Sequence, residues 1–193
     1  MKIIFICGSM EPGKDGVGDY TRRLCGILQA QGNEVAAIAL NDPFIDEVVE
    51  AYQQSQQQQI LVIRFPSSWS NRKKFTQAHQ WIALRDPEWL SLQFVIYSFH
   101  AKGIPLGLAR YMSGLGEGRK WHLMFHELWI GMERQAPIKY RMIGWVQKIL
   151  IKNLIAAIQS QIIHTQSRFY QSVLSELGCK ADLLPLFSNI PLI

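Results

Sequence analysis

Three stretches of this sequence hold groups that could do chemistry. The first is Gly8–Gly18, which reads Gly-Ser-Met-Glu-Pro-Gly-Lys-Asp-Gly-Val-Gly. A glycine-rich loop that opens a helix exposes backbone N–H groups, and these favour an anion or a hydroxyl. Gly16 and Gly18 are therefore candidate binding positions. The second stretch is His126-Glu127. An imidazole can donate to a hydroxyl or stabilise positive charge at a reacting carbon, so His126 is a candidate catalytic residue. Glu127 would orient that ring or meet a substrate hydroxyl. The third is His100, with Ser98 and Lys102 beside it, a further candidate contact to substrate. Each has a plainer reading: glycines that only allow close helix–strand packing, a His bonded to a backbone carbonyl, a solvated Glu.

Sharper signatures fail on single residues. A phosphate-binding P-loop needs Ser or Thr after Gly-Lys, and Asp15 stands there, where it would repel phosphate. The dinucleotide fingerprint needs Gly-x-Gly-x-x-Gly. Gly13-x-x-Gly16-x-Gly18 has the reverse order, and Asn41-Asp42 arrives late for a ribose contact, which disfavours a nucleotide-dependent oxidoreductase. His126-Glu127 does not open a His-Glu-x-x-His zinc site, because Ile130 replaces the second His. No Gly-x-Ser-x-Gly elbow anchors a hydrolase triad. Cys7, Cys25 and Cys179 have no metal or disulfide spacing and read as reduced thiols. No metal and no cofactor are expected. His79, His122 and His164 fall inside helix or strand patterns and read as structural.

The three stretches need elements that hold them at one edge. Strands are expected at Lys2–Cys7, Glu34–Leu40, Ile60–Phe65, Gln93–Tyr97, Lys120–Phe125, Gln161–Thr165 and Asp182–Leu184. Helices are expected at Val17–Gln31, Asp46–Gln54, Asn71–Leu84, Ile104–Leu115, Ile138–Ile158 and Arg168–Leu177. The glutamine-rich Gln53–Gln59 tract reads as a solvated helix end or loop. This alternation predicts an α/β fold: a Rossmann-like, doubly wound, mostly parallel sheet of about seven strands with helices on both faces. Loops at the carboxyl ends of such strands share one cleft, which would gather Gly18, His100 and His126.

The chain has 193 residues, 48% of them hydrophobic, enough for one large domain with its own core. No apolar run suits a membrane span or a signal peptide, so a cytoplasmic location is expected. Twenty Lys and Arg against fifteen Asp and Glu give a net charge of +5. That admits anionic partners without pointing to nucleic acid, and no nucleic-acid partner is expected. Arg141, Lys148 and Lys152 share one side of a helix near Trp145, and Arg72-Lys73-Lys74 adjoin Trp69 and Phe75. Both clusters read first as solvated faces, with peripheral contact at the inner membrane face as the second reading.

Taken in order, several of these motifs carry a family resemblance. Gly16-Val17-Gly18-Asp19-Tyr20-Thr21-Arg22-Arg23-Leu24 followed by Gly32-Asn33-Glu34-Val35 resembles the opening of GT-B-fold glycosyltransferases of the retaining family 4. Met124-Phe125-His126-Glu127-Leu128-Trp129 is similar to the segment in that family where a His meets the donor sugar. Ile163-His164-Thr165-Gln166-Ser167, with Tyr170 and the closing Leu186–Pro191, is similar to its last unit and interdomain linker. The resemblance implies that Gly16, Val17, Gly18 and Asp19 bind substrate, that His126 is catalytic, and that His100 and Glu127 line the acceptor side. It implies a nucleotide-sugar donor and a sugar, lipid or small-molecule acceptor. Such enzymes carry a Glu-x7-Glu motif in a second domain, and no two Glu here stand eight apart. Residues 1–185 then read as the N-terminal, acceptor-side domain, 186–193 as the start of a linker, and the donor domain as absent. A stand-alone Rossmann-like binding module or partner subunit without transferase activity is the other reading.

Overall fold

The computed structural model describes residues 1–187, so the expected linker lies, beyond Phe187, outside the described residues. The elements run β1 (Lys2–Cys7), α1 (Gly16–Ala30), β2 (Glu34–Asp42), β3 (Val49–Ser55), β4 (Gln58–Pro66), α2 (Asn71–Arg85) and β5 (Trp89–Phe94). Then come α3 (Ile96–Phe99), α4 (Leu108–Gly116), β6 (Lys120–Phe125), α5 (Ile138–Ile158), β7 (Ile162–Thr165), α6 (Arg168–Glu176) and β8 (Asp182–Leu183). They form one eight-stranded sheet in the order β3-β4-β2-β1-β5-β6-β7-β8. Every neighbouring pair is parallel except β3–β4. The fold is thus the expected α/β, Rossmann-like one.

β1 is central, and its continuous apolar run follows from burial on both sides. Ile4 and Ile6 join the larger core with α2, α4, α5 and α6; Ile3, Phe5 and Cys7 join the smaller one under α1. The chain winds leftward from β1 to β4, then crosses to β5 on the other side of β1. The carboxyl ends of β1 and β5 therefore frame the switch point where such sheets open a crevice.

Three sequence expectations are corrected. Asp46–Gln54 is not a helix. Val49–Ser55 is the antiparallel edge strand β3, paired with β4 through a turn at Gln56-Gln57, so the glutamine tract is a hairpin. Glutamine is a good helix former, and pairing with the buried strand β4 overrode that preference. The fourth expected strand, Gln93–Tyr97, sits earlier, at Trp89–Phe94. Ser91 and Gln93, buried on the face away from the larger core, are polar, which hid the strand start. The helix expected from Ile104 starts at Leu108, behind Gly107 at φ +76°, with Pro105 in the preceding turn.

The two faces are unequal. Among the described residues α1 is the helix on its face, and it covers β1, β2, β3 and β4. On β5, β6 and β7 that same face carries Ser91, Gln93, His122, Met124 and His164 rather than a continuous apolar layer.

Candidate functional site

The loop after β1 is held by charge. Asp42, fully buried at the end of β2, accepts from the Met10 N–H (3.1 Å), the Phe44 N–H (3.1 Å) and Arg64 Nε (2.7 Å). Arg64 also pairs with Glu11 of the loop. Burial works to raise the Asp42 pKa, but the guanidinium and the two N–H donors outweigh it and hold it below the usual carboxylate range. The late acidic residue of the sequence is thus an anchor for the loop.

Asp15 caps α1, accepting from the Gly18 N–H at 2.6 Å. Gly18 must be glycine here: a Cβ would run into the Ser9 carbonyl oxygen. Gly8 likewise lies against Ser98, which ties this loop to the one after β5. Gly16 differs, since a Cβ there would meet open space. Val17 packs partly into the smaller core. Asp19 accepts from the Gly13 N–H (3.0 Å) and from both terminal nitrogens of Arg22, so its carboxylate closes the loop on the helix.

The loop after β5 is bridged to β2 by Asn41. Its amide donates to Ser98 O (3.0 Å) and accepts from Lys74 Nζ (2.8 Å). Lys74 is buried, and burial lowers its pKa, so it is no part of a solvated basic face. His100 is exposed, but its Nδ1 accepts from the Lys102 and Ile104 N–H groups (3.3 and 3.2 Å) and shapes its own loop.

His126 ends β6 and is only 3% exposed. The ring expected to stand open to a cleft is covered by Tyr20 of α1, edge-on at 5.2 Å, and Tyr20 is itself stacked on Phe187 at 4.6 Å. This contact brings the α1 start and the β6 end together, as the shared sheet edge requires. Beneath His126 runs a chain of neutral hydrogen bonds across the helix-poor face. His126 Nε2 donates to Gln93 Oε1 (2.9 Å) and Gln93 Nε2 to Ser91 Oγ (2.9 Å). Ser91 Oγ lies 2.7 Å from His122 Nδ1, and His122 Nε2 lies 3.0 Å from His164 Nδ1. One direction of donation satisfies every member and keeps the imidazoles uncharged. Burial pushes His126 and His122 down to about 4, with His164 and His126 adding to the effect on His122. His122 and His164 lie in β6 and β7, within the strands the sequence placed them in, and face each other.

Beyond His126 the chain opens a cleft of about 470 Å³ lined by Tyr97, Glu127, Trp129, Glu133, Tyr140 and Tyr170, among others. A second recess of about 490 Å³ shares Met132, Glu133 and Tyr170 with it. Glu127 is exposed at its wall and, after burial, raises the Tyr170 pKa. Gln147, fully buried in α5, holds the cleft from below. It accepts from the Ile130 N–H (3.0 Å) and donates to Tyr97 Oη (3.2 Å). Gln166 donates to His126 O at 2.5 Å. Gln93, Gln147, Tyr97 and Tyr140 were not singled out in the sequence, while Gln166, Trp129 and Tyr170 stood in the motifs of the resemblance without a role at this cleft. The only signal for Gln93 was its parity with Ser91 on an alternating strand. Among the described residues no group of three His, Cys, Asp or Glu is placed to hold a metal ion.

No family model matches the sequence, and no curated protein does. Solved structures do share its fold. The catalytic domain of starch synthase IV from Arabidopsis thaliana, bound to ADP and acarbose, superposes with a TM-score of 0.53 at 15% identity, over 96% of this chain and 51% of that one. An alpha-glucosyltransferase in complex with UDP and a 13-mer DNA containing an HMU base gives 0.52 at 11% identity, over 95% and 40%. The same kind of enzyme in complex with UDP gives 0.50 at 10% identity, over 91% and 38%. At these identities the likeness is one of fold. The chain spans about half or less of the length of each.

Proposed function

We propose that this chain is the acceptor-binding half of a retaining glycosyltransferase of family 4, which moves a sugar from a nucleotide-sugar donor to an acceptor hydroxyl. The observation that carries the reading is the junction at the sheet's carboxyl edge. There the glycine loop of α1 and His126 meet through Tyr20, beside a cleft walled by aromatic rings and two carboxylates. Aromatic faces suit the C–H faces of a sugar, and carboxylates accept from its hydroxyls. In this reading the turn Gly16–Asp19 contacts the substrate, Glu127 and His100 contact the acceptor, and His126 acts at the reacting sugar once Tyr20 moves off its ring. Residues 1–185 form the acceptor-side domain and 186–193 begin the linker; the donor diphosphate is held by a second domain. Starch synthase and alpha-glucosyltransferase structures support the reading through the shared fold.

Two measurements on the 193-residue chain test it. Incubated with nucleotide sugars and saccharide acceptors, the chain should transfer no sugar, because it lacks the paired Glu of a donor site; detectable turnover overturns the half-enzyme part. Titrated with the same saccharides, the ring signals of Trp129 and Tyr170 should shift. Silence at those rings with every saccharide would remove the acceptor site.

A further inference from the structure

α5 is apolar on two opposite sides. Gly144, Gln147, Ile151, Leu154 and Ile158 are buried against the core. On the outer side stand Ile138, Met142, Trp145 and Ile149, spaced by four, three and four residues, which makes one stripe along a helix. Ile138, Met142 and Trp145 are 75%, 66% and 65% exposed. Alongside them runs an apolar groove of about 640 Å³ with Ile104 and Val146 in its wall. Leu106, in the same turn as Ile104, is 70% exposed. Scattered exposed apolar residues are ordinary, but a continuous stripe with a groove marks an interaction surface.

The charges around the stripe say what kind. The 21 residues of α5 hold Lys139, Arg141, Lys148 and Lys152 and no Asp or Glu. At helical spacing Arg141, Lys148 and Lys152 flank the stripe on one side and Lys139 on the other. We propose that this face docks on an anionic lipid bilayer. Ile138, Met142, Trp145 and Ile149 enter the boundary between headgroups and acyl chains, and the four cations sit among lipid phosphates. Trp and the long stems of Lys and Arg suit that boundary. Each cation near an anionic surface adds to the attraction, so the flanks matter as well as the stripe. A second copy of the chain fits less well, because a two-fold contact would set Arg141, Lys148 and Lys152 against the same residues of its partner. The mode is surface docking: among the described residues no helix is long and apolar enough to cross a membrane. The basic cluster at α2 offers no such surface, since Phe75 and Lys74 are buried.

This inference does not depend on sugar transfer.

The test is cosedimentation of the 193-residue chain with phosphatidylcholine vesicles, with and without phosphatidylglycerol. Retention should require phosphatidylglycerol, fall as salt is raised, and drop about tenfold or more in a Met142→Glu, Trp145→Glu double variant. A Arg141→Gln, Lys148→Gln, Lys152→Gln variant should lose retention to a similar degree. It decides the matter if the apolar variant unfolds, because it leaves the apolar residues in place. Absence of retention on phosphatidylglycerol vesicles at low salt overturns the proposal. So does retention that neither variant changes, or a concentration-dependent dimer that Trp145→Glu dissolves in a chain that never sediments with lipid.

Discussion

The loop after β1 and the loop after β6 meet at one sheet edge but are braced by opposite means. The first hangs on a buried ion cluster, Asp42–Arg64–Glu11, and on the capping carboxylates Asp15 and Asp19. The second rests on uncharged groups: Gln93 under His126, Gln166 on its carbonyl, and Gln147 under Ile130. The difference teaches that charge can hold a loop in place through pH changes that disturb a histidine-based one. A carboxylate held low keeps its proton off until quite acid pH. A buried imidazole is at a disadvantage as soon as the unfolded chain can take up a proton.

The largest effect should come from breaking the charged brace. Asp42→Ala removes the partner of a buried guanidinium, and such losses typically cost about 3–5 kcal/mol. Glu11 stays behind, so the lower end is expected, read as a shift in urea unfolding at neutral pH. A cost under about 1 kcal/mol would mean that the ion cluster does not brace the loop. Next comes Gly18→Ala, which drives a methyl into backbone at Ser9 and should cost about 2–3 kcal/mol by the same measurement.

The pH test separates the two regions directly. His126 and His122 sit near 4 in the folded chain against about 6.5 unfolded. Below about pH 6.5 the unfolded state binds protons that the folded state refuses, so stability falls with pH through that range and the loss levels off near 4. Each of the two should contribute on the order of 1–2 kcal/mol between pH 7 and 5. Asp42, with its folded pKa depressed, contributes stability that is present above its unfolded value near 4 and is lost as pH falls further. Thermal unfolding from pH 7 to 5 should therefore steepen through the histidines alone, and His126→Gln should flatten the slope. An unchanged slope in His126→Gln would contradict the neutral buried chain. The smallest effect is expected at Gly16→Ala, within about 0.5 kcal/mol of wild type, because the added methyl meets open space. Comparing Gly16→Ala with Gly18→Ala thus asks whether one loop holds one glycine fixed by close backbone contact and one with room for a side chain.

Much of this architecture was readable from residue order. The central strands announced themselves as Ile/Phe runs, and their positions fixed which loops leave the carboxyl edge. Hidden were the features in which side chains meet across distance. β3 carries mixed Glu, Ala, Tyr and Gln, and its state was settled only by pairing with β4. Asp42 and Arg64 are 22 residues apart and meet because β2 and β4 are neighbours. His126 was legible as a strand-end residue, but its burial was not, because it depends on Tyr20 and Phe187 from opposite ends of the described chain. On α5 the basic side near Trp145 was legible, with peripheral membrane contact as one reading, but the apolar stripe Ile138–Met142–Trp145–Ile149 was not. A helix apolar on two sides gives no single apolar face, and which side meets the core is a tertiary matter.

The edge strand β3 also governs how the protein behaves in crowded solution. Among the described residues no strand lies beside its outer backbone, and Val49–Ser55 carries no Pro, no Gly and a single charge, Glu50, already engaged by Arg85. Such an edge is a template for another extended chain, and the adjoining glutamines at 56–59 can build stacked amide ladders. The opposite edge, β8, is two residues long and offers almost nothing to copy. Self-association during refolding at high concentration should therefore begin at β3, and Glu50 is the gatekeeper that slows it.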